Sequence, residues 1–488
     1  MRTSALGLAV LLLALAAPAA AQEPRLVRAV VHVHTDLSTG DLSLDEIVQR
    51  AESQGIEAVF LTENFLLRVD YGLFPFRALT RVRREEPSVL ARGLDQYLAA
   101  VAEARQRHPG TLIVPGVEVI VHYWWSGSPF DGELTVHDLQ KNILALGLST
   151  PAGLRALPAS GSPATARYSA QSLLDLLPAL LLVPGLVLLR PRRPPVALRR
   201  GGPDPRESWR RTLGGLLCAI GAVALARGFP FTTDAFSPYR DLGTAPYQEL
   251  IDAIEQHGGA AVWSFPDAFD LGEQRVYGLR VARQTEPYGD DLLRTFRYSA
   301  FGGVYEDTTR FPQLGGGWDY LLGQYARGER SRPGWLIGES GFHGDGEGKW
   351  IGAAETVFLV PAKSDAALLE ALRRGRMYGV LRTDRTNAPV LDRFTVTTPA
   401  GTALSGDTVS VAPSTPVEVH AVIRMSDASE QALRVTLIKN GGIARMWTGT
   451  TPLSVDHQEV FDGTPAYFRL DVRGPKTAYI LSNPIFIR

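Results

Sequence analysis

Two histidines one residue apart, His32 and His34, close an apolar run rich in β-branched residues, Val-Arg-Ala-Val-Val-His-Val at positions 27–33. That composition predicts a strand, and side chains two apart on a strand share a face. The spacing therefore predicts two imidazoles on one side of a strand end, able to bind one divalent ion through nitrogen. A carboxylate from another strand end could join them or bridge to a second ion, and Glu118, beyond the run at 112–117, occupies an equivalent place. A His-x-His pair alone is more often a chance surface pair; here its position after the first strand gives it weight. Ser264 has no His and Asp partners that spacing can identify, which leaves a serine hydrolase the weaker reading.

The elements around these residues alternate. Ser43-Leu44-Asp45-Glu46 has the form of a capping box, Ile47, Val48 and Ala51 make one apolar stripe, and Gly55 ends the helix. A strand at 58–62 completes a βαβ unit, and a further helix leads to the strand at 112–114. The alternation resumes with a helix at 247–256, strands at 260–263, 335–338 and 356–360, and a helix at 364–374. Polar residues follow the carboxyl ends of these strands, where α/β barrels place their sites. The pattern predicts one barrel split by an insertion, its parts at 22–167 and 232–387.

The insertion, 168–231, holds two apolar runs, 168–189 and 212–226. The loop between them carries Arg190, Arg192, Arg193, Arg199, Arg200, Arg206, Arg210 and Arg211 against Asp204 and Glu207. That asymmetry fits a transmembrane hairpin with its loop in the cytoplasm. At the N-terminus a short basic start, an apolar run at 5–16 and Ala19-Ala20-Ala21-Gln22 read as a signal peptide over 1–21. Both features place the folded parts outside the cytoplasmic membrane. The alternative is an apolar helical pair packed on the barrel.

From 388 to 488 the pattern turns to short alternating strands, with Asn440-Gly441 as a hairpin signal, and predicts a self-contained all-β sandwich. A length of 488 residues calls for two or three folded units. A net charge of -1 gives no reason to expect a nucleic-acid partner, and the single Cys218 excludes an intrachain disulfide. Frequent Arg and Ala suggest a GC-rich bacterial genome, hence a bacterial cell envelope.

Five short stretches resemble the PHP family (polymerase and histidinol phosphatase), in particular its exported CehA-like branch. They are His32-Val33-His34-Thr35, Leu61-Thr62-Glu63-Asn64, Pro115-Gly116-Val117-Glu118, Gly258 to Trp263, and Ser340-Gly341-Phe342-His343-Gly344, in the family's order. The resemblance implies a distorted (β/α)7 barrel with a two- or three-metal centre that hydrolyses phosphate esters. The match is incomplete: Asn64, Asn142, Phe265 and Gly341 stand where the family has metal ligands, while His32, His34, Glu118 and His343 remain.

The resemblance thus implies one reduced metal site, with His32, His34, Glu118 and His343 as ligands, Glu118 and His343 as catalytic groups, and Glu339 as a further donor. Near the lost positions stand His122, His137, Glu63 and Asp267, which the sequence reads as surface or helix residues more readily than as replacements. The expected cofactor is one divalent ion, Zn, Mn or Fe, and the expected partners are a small-molecule phosphoester and a membrane. The competing reading is a non-catalytic PHP-fold binding or scaffold protein that has lost its metal centre. Tyr123-Trp124-Trp125 reads either as a stacking platform at the barrel mouth or as packing against the hairpin.

Overall fold

The first strand, β1 (Arg25–Val33), is apolar on both faces because both are covered: from Val30 to Val33 every residue is buried. The computed structural model describes residues 24–191, 205–276, 278–306, 309–346 and 349–488. The expected signal segment, 1–21, lies outside the described residues, as do Arg192, Arg193, Arg199, Arg200 and Asp204 of the arginine-rich loop.

After β1 a helix, Leu44–Ser53, begins with the expected capping box. The Ser43 N–H donates to Glu46 at 2.9 Å, and Leu44, Ile47, Val48 and Ala51 are its buried stripe. The chain then runs through β2 (Ala58–Leu61), β3 (Glu63–Asn64), β4 (Leu112–Val114), β5 (Gly116–Ile120), β6 (Asn142–Leu146), β7 (Ala260–Trp263), β8 (Ala300–Val304), β9 (Trp335–Gly338), β10 (Ala354–Val360) and β11 (Met377–Leu381). The fold is mixed α/β with a large β-rich C-terminal region.

These strands form two sheets, not the single ring of pairing that a barrel would give. β1, β2 and β4 run parallel, with β10 antiparallel to β1 on its other side and β11 antiparallel to β10, in an 11-stranded sheet; β3, β5, β6, β7, β8 and β9 form a 6-stranded one. The breaks fall at Thr62, between β2 and β3, and at Pro115, between β4 and β5. Proline has no N–H to give a ladder, so the chain there can turn from one sheet into the other. The segment after β9 returns to β1: the Ser340 N–H donates to Val31 O at 2.9 Å and the Phe342 N–H to His32 O at 3.0 Å. This brings residues 339–343 beside the end of the first strand.

The C-terminal strands make two facing sheets around a shared core, Phe394, Val396, Val419 and Ile423 on one side and Val435, Leu437, Leu470 and Ile480 on the other. Asn440 and Gly441 both take positive φ, 48° and 77°, as a two-residue hairpin turn of the primed type requires. The C-terminal strands also pair with the body of the protein. Strand β12 (Tyr479–Ser482) pairs with β11, so one sheet crosses the boundary at 388. Asn483, fully buried, bonds both backbone groups of Leu336 and the carbonyl of Met377. Arg469 forks onto Asp319 with two bonds of 2.7 Å. Short alternating strands announce a sheet but not which edge it will pair with.

Two helices, Ala170–Leu189 and Arg206–Gly228, are long and apolar enough to cross a membrane. The first contains a 3-10 segment, Leu177–Leu181, at Pro178. They touch through small residues: a Cβ on Gly185 would fall 2.6 Å from Cys218 Sγ, and one on Gly221 3.0 Å from Leu182. Their apolar stretches are only 22 % and 17 % buried, unlike core helices.

Candidate metal centre

His32 sits in a β-bulge. Its φ is +74°, and the register of β1 against β2 slips between Val31 and Val33. The bulge, more than simple alternation, aims its ring. His32 Nε2 lies 3.0 Å from His34 Nε2, and Glu118 Oε1 and Oε2 stand 3.4 Å from His32 Nε2 and His34 Nε2 respectively. One ligand atom from each of the three residues falls within 4.8 Å of the others. His34 is fully buried and His32 nearly so, while the Glu118 side chain keeps 11 % exposure, so the cluster opens to solvent on the Glu118 side.

The other face of His32 is fixed. Its Nδ1 donates to Glu339 Oε1 at 2.7 Å, and the same carboxylate accepts Ser264 Oγ at 2.6 Å and the Phe265 N–H at 3.0 Å. Glu339 is thus committed to orienting the ring, the carboxylate–histidine relation that usually backs a metal-binding imidazole. This turns Nε2 toward the cluster. Asn142 Nδ2 donates to Glu118 Oε1 at 2.8 Å. Ser264 gives its proton to Glu339 and is no activated nucleophile.

The charges match a cation site. Burial alone would depress His32, but Glu118 and Glu339 outweigh it and push the imidazole up to about 10. Burial would raise Glu118, yet His32 and His34 hold it down at about 2. His34 is driven well below its ordinary value by burial and by the neighbouring imidazoles, and its buried Nδ1 has no hydrogen-bond partner. Two imidazole nitrogens and a carboxylate aimed at one point, with a proton on His32 holding them together, are a donor set that fits a divalent ion.

No family model matches the chain, and no curated protein does. Three of the solved structures similar to it are as follows. A two-domain protein from Bacteroides vulgatus, described as containing a PHP-like metal-dependent phosphoesterase, shares 10 % identity over 95 % of both chains, with a TM-score of 0.37. A protein from Bifidobacterium adolescentis, described as a metal-dependent phosphoesterase, shares 17 % over 72 % of this chain and 97 % of its own, TM-score 0.29. An amidohydrolase from Chromobacterium violaceum shares 18 % over 70 % and 96 %, TM-score 0.28. Two of the three are described as metal-dependent phosphoesterases.

His343 stacks face to face on His34, centroids 4.1 Å apart, with Nδ1 3.3 Å from Thr39 Oγ1. It stands beside the three-residue cluster, and burial lowers its imidazole. The positions where the resemblance would place further ligands are engaged otherwise. Asn64 donates to Thr39 at 2.7 Å, Phe265 stacks on His32, and a Cβ on Gly341 would come 2.8 Å from the Phe265 ring. The nearby candidates are engaged elsewhere. Buried Glu63 braces the loop after β1, accepting Thr35 Oγ1 at 2.6 Å and Ser38 Oγ, and burial pushes it up to about 7. Asp267 accepts the N–H groups of Arg310 and Phe311. His122 bonds the Arg240 carbonyl, and His137 bonds Ser126 and stacks on Trp124.

Trp124 and Trp125 lie in a small four-stranded sheet, Trp125 donating to Asp70 O. The pairings of Glu339 with Ser264 and of Asn142 with Glu118 carry no local sequence signal. Each joins residues from different strands or strand ends.

Proposed function

We propose that the chain is a membrane-tethered, envelope-facing hydrolase of PHP type that uses one divalent ion, Zn, Mn or Fe, on a small-molecule phosphoester. The convergence of His32 Nε2, His34 Nε2 and the Glu118 carboxylate carries this reading. Bound there, a divalent ion supplies a Lewis acid for a phosphoryl oxygen and lowers the pKa of water toward neutrality.

The chain's own groups do the rest. Glu339 keeps the His32 Nδ1 proton turned away from the ligand cluster, and Asn142 holds Glu118 in place. His343, neutral at pH 7 because burial lowers it, is suited to orient water or take up a proton. Phe265, stacked on His32, keeps water off that ring.

Two apolar helices exposed over most of their length support the tether. Exposed aromatics bracket them, Trp209 near the arginine-rich end and Tyr168 and Phe229 at the other, where interfacial residues belong. The arginine-rich loop and the signal segment favour an envelope-facing body.

A second reading, a binding protein without turnover, draws on Phe265 and Asn142, which occupy the places of further ligands. Metal analysis separates the two. Purified full-length protein is expected to take up about one divalent ion, and replacing His32 and His34 by Ala to abolish uptake. Bis-p-nitrophenyl phosphate is expected to be hydrolysed slowly and only with metal. No uptake of Zn, Mn or Fe would sink the hydrolase.

A further inference from the structure

Where the two apolar helices leave the body of the protein, the chain surrounds an open cavity of about 750 Å3 whose lining includes Arg68, Arg77, Arg81, Arg83, Arg167 and Arg240. Part of its wall is the start of the first helix, at Gln171 and Asp175, and part the end of the second, at Gly228 and Phe229.

Three carboxylates share the lining, and they do not balance the arginines. Asp70 is held by Arg83 through bonds of 2.9 and 3.0 Å and lies 3.9 Å from Arg68. Asp234 accepts the backbone N–H groups of Gly161 and Phe236, and Asp175 accepts Gln171 Nε2 at 3.1 Å. Among the described residues Arg77, Arg81, Arg167 and Arg240 have no carboxylate at ion-pair distance. Arg77 lies 3.7 Å over the Tyr239 ring, and its buried Nε has no hydrogen-bond partner. Burial and the cations Arg83, Arg68 and Arg227 together lower Arg81. Guanidinium groups crowded into a concave wall repel one another until an anion enters, and their planar forks match phosphate oxygens.

The same end of the hairpin carries exposed aromatics, Phe74 at 70 %, Tyr168 at 76 % and Phe229 at 74 %. Aromatic side chains of this kind mark headgroup level. We propose that this cavity binds the phosphate headgroup of an anionic phospholipid in the leaflet facing the folded body. The proposal rests on the membrane reading and is independent of the metal centre.

The test uses full-length protein, hairpin included, in nanodiscs of equal phosphatidylglycerol and phosphatidylcholine, with retained lipid counted by native mass spectrometry. Wild type is expected to retain phosphatidylglycerol over phosphatidylcholine by roughly tenfold or more. Arg167→Gln with Arg240→Gln, both on exposed side chains, is expected to bring the ratio toward parity with metal uptake and melting temperature unchanged; adding Arg77→Gln should complete the loss. Equal retention of the two lipids by wild type, or a preference that survives in the triple variant, overturns the proposal. Displacement of the lipid by millimolar inorganic phosphate overturns the lipid assignment in favour of a soluble anion. A full-length protein that stays monodisperse without detergent overturns the membrane reading and this proposal together, whereas insertion without lipid preference overturns the cavity alone.

Discussion

Glu339 Oε1 stands 2.7 Å from Nδ1 of His32, across the ring from the Nε2 that faces His34 and Glu118. The contact joins residues 307 apart in the chain, and it exists because residues 339–342 return beside the end of β1. It sets which nitrogen of His32 faces the ligand cluster.

Glu339→Gln keeps the shape of that side chain and removes its charge. Metal affinity is expected to fall about 10- to 100-fold, as it does when partners of ligating histidines are lost. A chelator competition on the full-length protein measures it. Unchanged affinity would mean that Glu339 does not govern the ring.

The proposed tether has a direct check. A reporter fused at Gly202 is expected to report cytoplasm and one fused at Arg488 the periplasm or cell exterior. Gly202 outside would remove the hairpin and leave the two helices as a packed pair.

Asp319 and Arg469 are both almost fully buried and bonded through both carboxylate oxygens. Asp319→Ala leaves a buried guanidinium with no countercharge and is expected to cost about 3–5 kcal/mol. Denaturant melts followed by circular dichroism give the number. Deleting 388–488 goes further, since it removes β12 from the edge of β11 and Asn483 from Leu336 and Met377. The truncated chain is expected to be insoluble or to melt far below the full chain. A stable truncated body would show that the shared sheet contributes little.

The local features of this fold were legible where the chemistry is local. The capping box at Ser43, the hairpin turn at Asn440-Gly441 and the strand that delivers His32 and His34 each follow from a few neighbouring residues. The split at Pro115 was present in the sequence, but proline there reads equally as a turn inside one barrel. The bulge at His32 was not legible, because a positive φ at a non-glycine residue is imposed by contacts with segments far along the chain. The sequence offers Glu339 as a possible ligand, yet only the three-dimensional contact shows its oxygens committed to His32, Ser264 and Phe265. The pairing of β11 with β12 escaped for the same reason, since periodicity fixes a strand's faces and not its neighbour.

Metal binding should depend steeply on pH, and the direction follows from His32. Its ordinary pKa is about 6.5; in the folded, metal-free protein burial pulls it down, but Glu118 and Glu339 push it up to about 10. At pH 7 the ring therefore carries a proton on the nitrogen that must bind the ion, and uptake has to expel it. Affinity is expected to climb with pH by up to about tenfold per unit and to level off near pH 10, with close to one proton released per ion. Calorimetry in two buffers of different ionisation enthalpy counts that proton. The same shift acts on folding. A pKa raised in the folded state stabilises the metal-free protein fully below the unfolded value, and this contribution is lost as pH rises through the folded one. The melting temperature gained on adding metal is therefore expected to grow from pH 7 toward pH 9. A gain that shrinks over that range, or no proton release at pH 7, would show that His32 is neutral before the ion arrives.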